Sequence, residues 1–477
     1  LQVKAEREVA SEKLVKASHM AHASNGLNWE RILRSEEMKK HGSMFILLLL
    51  TVLLILMAGS LGVSAQDNVT LRMTGLAGPV AEGLQAAISV WNENNPDIQV
   101  ELEIQADEVN WQATAPTTMF ADAMGPDLSW WWCSRSFQYK DMIEADLLAP
   151  LDDLYEAEGW YDAFPQGTLD FYTEPNGSIY GVNIDVVWTP YIYYNKDIFA
   201  EVGAEVPTTW EELYEVADKV RAGGYQPMVN LYDWGLVNHL PDALMMRSWT
   251  EDEYRAFMLN ANPGSPDWAN EYKWTDAHGV RIFETMKEMV DRGLLADGFA
   301  GHTEYGQGQG LFTGGSAAMW QMGSWASGSL SDEVDFDWGY FYYPWYDDDM
   351  IEPYGPVGSW IPNCFIVFNR DNQEAALKVV TYLGSAAGVE TYARASRITP
   401  GRSDIPEEAV AEILTPESAQ QVADVGSMGA PSLYEANVPP DVLSALKQAC
   451  DLLLNDVITP EEAAEMVQEA TEEAREG

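Results

Sequence analysis

The sequence predicts an α/β protein of more than one domain, and three observations predict it. Val69, Leu71 and Met73 alternate as a half-buried strand does, Val80, Leu84, Ile88 and Trp91 recur at helical spacing, and Ile98, Val100, Leu102 and Ile104 alternate again. This strand–helix–strand order is the unit of a parallel sheet covered by helices. Apolar strands and amphipathic helices then continue to the C-terminus with no internal repeat or low-complexity linker. Finally, 477 residues with 47% hydrophobic side chains suffice for two or three such units with large cores.

Taken in order, Gly75 to Pro79 turns into the first helix and Asn95-Pro96-Asp97 ends it. Leu128 to Trp132 reads as an apolar strand whose end lies at the carboxyl edge of the sheet, where ligands of open α/β sheets bind. On it Trp131 faces opposite to Trp130 and Trp132, for which core packing is the simpler reading. After the aromatic run Tyr191 to Tyr194, Asn195 and Asp197 cap a helix. Thr209 and Glu212 form a capping box before Leu213, Val216 and Val220, and Gly223-Gly224 stops that helix. Met228 to Leu231 is a short strand. Val280, Phe283, Met286 and Met289 make a helix face that Arg292-Gly293 ends. Strands from Phe336 to Tyr343 and Cys364 to Phe368 follow, then a helix from Asn372 to Ser385 and a last helix opened by Thr459-Pro460-Glu461-Glu462.

The rest is organised around Leu311 to Trp325. Phe312 and Met319 anchor it in a core, Gly314 and Gly315 allow a tight turn, and Ala317 to Met322 is a short buried strand. Gly323 and Ser324 break the strand and leave Trp325 at its tip, a flat apolar face for a ligand; the plainer alternative is a buried Trp. The string Phe312-x-x-Gly315-x-x-Ala318-Met319-x-x-x-Gly323-Ser324-Trp325 resembles the signature segment of extracellular solute-binding proteins of the carbohydrate (family 1) type, the capture subunits of ABC importers. Leu147 to Leu154, Tyr194-Asn195-Lys196-Asp197-x-Phe199, Val206 to Glu212, Val290 to Leu295 and Ile398 to Arg402 resemble that family in the same order.

The resemblance implies a periplasmic-binding-protein type II fold: two lobes, three hinge crossovers and a ligand cleft between the lobes. Residues 66–185 and 345–400 would form the N-terminal lobe, and 186–344 and 401–477 the C-terminal lobe. By similarity to maltodextrin-binding members, the positions four and eight residues after Asp127 contact sugar; here they are Trp131 and Arg135. The family acid before that Arg is Ser134, and the acid nine residues before Asp197 is Trp188, so stacking replaces a carboxylate. Asp185, in the expected hinge, is a substitute acceptor. Trp234, with Asp233 beside it, falls near another stacking position, and Trp360 follows a glycine-rich segment that borders the cleft. Trp131, Trp188, Trp234, Trp325 and Trp360 would therefore stack on sugar rings, and Asp185, Arg135 and Asp233 would bind hydroxyls. Competing readings are a non-sugar ligand (polyol, glycerol phosphate, peptide or metal) and a secreted glycoside hydrolase, which would need two placed carboxylates.

Composition narrows the partners. The formal net charge is −48. Without residues 1–65, which hold 8 Lys+Arg and 6 Asp+Glu, 19 basic and 69 acidic side chains remain. A surface so acidic repels nucleic acid. Met38 to Ala65 reads as a secretory signal: Lys39 to His41 are basic, Met44 to Met57 is apolar, and Val63-Ser64-Ala65 is a small-x-small cleavage site. An uncleaved anchor is its rival, and residues 1–37 read as an over-extended start. The expectation is an exported monomer in the periplasm or on the outer face of the cytoplasmic membrane, with a membrane permease as partner. Cys133, Cys364 and Cys450 match no metal motif, and buried free thiols are favoured over one disulfide. Asp347-Asp348-Asp349 lacks calcium-loop spacing and reads as a solvated turn. No Walker A, Gly-x-Ser-x-Gly or His-Glu-x-x-His sequence occurs, so neither cofactor nor metal is expected.

Overall fold

Two mixed sheets carry the chain in the computed structural model. It describes residues 68–477 except 107–110, 112–113, 123, 134–136, 250–252, 255–256, 258–272, 304, 347–358, 429–433, 435–437 and 477. The signal segment and the Asp347–Asp349 turn thus lie outside the described residues. The unit that remains spans Asn68–Gly477.

The opening strand–helix–strand forms as its periodicity demands. β1 (Val69–Leu76) pairs in parallel with β2 (Ile98–Gln105), and α1 (Pro79–Asn94) packs against the pair and buries Val80, Leu84, Ile88 and Trp91. β3 (Leu128–Trp132) adds in parallel to β1. The five-stranded sheet runs β2-β1-β3-β9-β4, with β4 (Gly181–Thr189) and the late strand β9 (Ser359–Val367) antiparallel to each other and β9 antiparallel to β3. The chain leaves this sheet at Pro190 and enters a second one directly through β5 (Tyr191–Asn195). That sheet runs β6-β7-β5-β8, with β6 (Gln226–Val229) parallel to β7 (Ala317–Met322), and β7 and β8 (Trp338–Phe341) antiparallel to β5.

Local chemistry sets the helix starts. The Asn195 side chain accepts from the Asp197 and Ile198 amides, and Thr209 and Glu212 make the reciprocal capping box that opens α2 (Trp210–Ala222). α3 (Ala277–Asp291) buries Phe283, Met286 and Met289. α4 (Gln373–Gly384) and α5 (Ala386–Ser396) pack through Val379, Val380, Leu383 and Tyr392 into the core of the first sheet. α6 (Pro416–Met428) offers Val422 and Val425 to the core formed by Tyr191, Tyr193, Trp320 and Trp338 of the second sheet. α7 (Pro440–Leu454) and α8 (Pro460–Glu476) close that sheet's other core, α8 beginning with the Thr459–Glu462 box.

One expectation is corrected. Cys133 and Cys364 form a disulfide with Cα atoms 5.6 Å apart, and only Cys450 stays a buried free thiol. The β3–β9 pairing brings the two cysteines together, with the backbone of Gly181 against both sulfurs.

Candidate functional site

The carboxyl ends of both sheets meet at one junction. β4 ends at Thr189, and β7 ends at Met322 and runs straight into Gly323-Ser324-Trp325. The Ser324 amide donates to the Trp188 carbonyl (2.8 Å), and the Trp188 amide donates to Ser324 Oγ (2.9 Å). Two strand ends from different sheets are thus pinned together by one serine. After β6, the chain forms a π-helical segment, Tyr232–His239, whose last residue reaches the same place: His239 Nδ1 lies 3.1 Å from Thr189 Oγ1. Gln321 of β7 holds that segment by donating to the Gly235 carbonyl. Burial pushes the His239 imidazole down to about 3, so it is neutral at physiological pH.

Aromatic rings fill the space between the strand ends. Trp325 and Trp360 are each half-buried and each pack against the cores of both sheets. A β-carbon at Gly323 would fall on Cζ3, Cη2 and Cε3 of Trp325, so glycine here makes room for the ring to fold back. The His239 and Trp325 rings are 6.5 Å apart, edge to face. Trp360 is opposite Trp188 in the β4–β9 ladder and lies edge-on to Phe171 at 4.8 Å. Among the described residues its buried indole N–H has no acceptor. Trp188 is 7% exposed, among the second sheet's core residues.

The junction therefore gathers Trp188, Trp325 and Trp360 from the predicted set. Two predicted residues are corrected. Trp131 is 1% exposed and covered edge-on by Trp111 and Phe120, both 5.0 Å away, so it offers no face to a ligand. The half-buried ring at the tip of β3 is its neighbour Trp132, opposite Asn363 of β9. Asp185 is 0% exposed, and its carboxylate accepts from Asn363 and Tyr392, which leaves it inside the protein rather than facing a cleft. Asp233 and Trp234 belong to the π-helical segment. Arg135 lies outside the described residues. Sequence reasoning missed Ser324 and His239. Ser324 was visible within the Gly-Ser-Trp string, but its partner Trp188 lies 136 residues away. Among the described residues no group of His, Cys, Asp and Glu could hold a metal ion, and no helix is long and apolar enough to cross a membrane.

Comparison with known proteins agrees with this architecture. The family described as bacterial extracellular solute-binding protein matches residues 86–420. A probable sugar-binding periplasmic protein of Rhizobium meliloti (strain 1021) is 23% identical over 276 residues, 57% of this chain and 62% of that protein. The sn-glycerol-3-phosphate-binding periplasmic protein UgpB of Brucella abortus (strain 2308) is 26% identical over 237 residues, 46% of this chain and 50% of that protein. The alignments thus span between half and two thirds of these relatives' own length. A solved chitin oligosaccharide binding protein superposes with a TM-score of 0.71 at 22% identity, covering 86% of this chain and 100% of that one. It shares the two-lobe fold of a solute-binding protein. With two mixed sheets joined at their carboxyl ends and the family match running through most of both, the chain belongs to the bacterial extracellular solute-binding protein family.

Proposed function

We propose that this chain captures a sugar or oligosaccharide outside the cytoplasm and delivers it to the permease of an ABC importer. One observation carries the reading: Trp325 and Trp360 stand half-buried at the same junction, each packed against the cores of both sheets. An indole face offered there suits the C–H face of a pyranose, and a ring touching both lobes couples binding to closure. Half-buried Ser324 supplies an uncharged hydrogen-bonding group nearby, as hydroxyls require, and the buried pair of Thr189 and neutral His239 adds no charge. Trp188, Trp234, Asp233 and Arg135 keep their proposed contact roles. The lobes are read as 66–189 with 345–400, and 190–344 with 401–477; β4 staying in the first sheet to Thr189 supports moving the first crossing to Pro190.

The likeness to a glycerol-phosphate-binding protein favours a second reading, a non-sugar solute. A phosphate calls for cations or converging N–H donors. Thr189, Ser324 and neutral His239 carry no positive charge, and Arg135 is the single cation among the proposed contacts, which favours the neutral ligand. The family and the relatives compared are binding proteins, which favours capture without catalysis. We also infer export by residues 38–65, placement in the periplasm or on the outer face of the cytoplasmic membrane, and a monomeric state.

Titration of tryptophan fluorescence against neutral mono- and oligosaccharides and glycerol 3-phosphate tests the reading. A neutral sugar should give saturable quenching that Trp360→Ala weakens about tenfold or more. Saturation by glycerol 3-phosphate with no response to any sugar would reverse the order of the two readings.

A further inference from the structure

Asp185 occupies the point where segments flanking the crossings converge. Its two carboxylate oxygens accept from Asn363 Nδ2 on β9 and from the Tyr392 hydroxyl on α5, each at 2.8 Å. Its backbone bridges to Pro400, the Val186 amide donates to Thr399 O (3.0 Å), and the Gly401 amide donates to Ile184 O (2.9 Å). A register break between Asn183 and Val186 in the β4–β9 ladder lets residues 184–186 pair with 399–401 instead. Gly401 is required, because a β-carbon there would collide with Asn183 Oδ1. One residue thus ties β4, which leads into the first crossing, to β9, which follows the second, and to the 399–401 segment of the third.

The tie contains a charge without a counter-charge. Among the described residues Asp185 enters no ion pair. The titratable groups facing it are Tyr392 from α5 and Tyr172 from the helix Gln166–Tyr172, and burial pushes both hydroxyls up, so both are neutral. β9 contributes only the amide of Asn363, and β4 that of Asn183. On the third crossing, Arg402 is held by Asp404 and the Gly384 carbonyl. The network also has acceptors to spare: among the described residues, buried Asn183 Oδ1 and Asn363 Oδ1 have no donor. An ionised carboxylate here is desolvated and uncompensated, whereas a protonated one loses that cost and brings the donor the network lacks. Burial accordingly pushes the Asp185 carboxyl up to about 6.

We propose that Asp185 is a proton-linked hinge anchor: as a neutral acid it ties the crossing segments together most firmly, and ionising it loosens the tie. The direction follows from linkage, because a locally opened hinge hydrates the carboxylate and favours the charged form. The proposal does not depend on which solute binds.

Hydrogen exchange of the ligand-free chain at pH 5 and pH 8, corrected for intrinsic exchange rates, tests it at the Val186 and Gly401 amides. In the wild type, protection of both should be about tenfold or more higher at pH 5. Amides of α2, remote from the hinge, should show no such difference. In Asp185→Asn, a neutral side chain of the same shape, protection at pH 8 should match or exceed the wild type at pH 5 and lose its pH dependence. Equal or lower wild-type protection at pH 5 overturns the proposal, as does an Asp185→Asn chain less protected than the wild type at pH 8. If that variant does not fold, the wild-type comparison decides alone.

Discussion

Replacing Gly323 with Ala removes a binding surface without touching the residue that forms it. The β-carbon would fall on three carbons of the Trp325 ring, so the ring must leave its berth between the two cores. Gly323 does not have a positive φ, so alanine itself imposes no backbone strain. The cost falls on the ring. One face of an indole covering a pyranose removes roughly 80 Å² of apolar surface from water, about 2 kcal/mol at ~25 cal/mol per Å². At ~1.4 kcal/mol per decade, that is about a thirtyfold rise in Kd. Displacing the ring also forfeits packing, which in a chain of this size lowers Tm by a few degrees at most. Calorimetric titration with a sugar that binds the wild type, run beside Trp325→Ala, measures both effects. The two variants should lose similar affinity. Wild-type affinity in Gly323→Ala, with a loss in Trp325→Ala, would refute the argument that the glycine sets the ring's position.

Three further outcomes follow from other parts of the molecule. Replacing Cys133 and Cys364 together with Ala releases a link between residues 231 apart, and thermal unfolding should show a loss of about 4 kcal/mol, with reducing agent acting on the wild type in the same direction. His239 is held neutral to about pH 3, so its contribution to stability is complete above its ordinary value near 6.5 and is lost as pH falls below that. Between pH 6.5 and 4 this group alone removes about 3 kcal/mol, and denaturant unfolding of His239→Gln should lack that increment relative to the wild type. Thr209→Ala removes the hydroxyl that accepts from the Glu212 amide, and should cost about 1 kcal/mol in the same assay with no change in sugar affinity.

What could be read in the sequence is what short-range chemistry decides. Ala317–Met322 is a strand because small and apolar residues run between a glycine turn and a Gly-Ser break, and the strand forms over those residues. Asn195 and the Thr209–Glu212 pair cap their helices because each partner lies within three residues. Trp131 misled because alternation places it on the face opposite Trp130 and Trp132 but does not say whether that face is covered. Trp111 and Phe120, from the segment before β3, cover it. Asp185 reads as a polar residue near a hinge; the register break that turns it inward depends on pairing with residues 399–401. The disulfide depends on the β3–β9 pairing, which no local pattern encodes. The opposition of Trp188 and Trp360 is likewise a matter of register between strands 172 residues apart.

The central claim is that a sugar is held between the lobes on Trp325 and Trp360 and draws the lobes together. Small-angle X-ray scattering with and without a saturating sugar tests it most directly. The account predicts a smaller radius of gyration in the presence of sugar, and no contraction at the same sugar concentration when both tryptophans are replaced by Ala. Contraction that persists in the double variant, or tight binding to the wild type with unchanged dimensions, would contradict it.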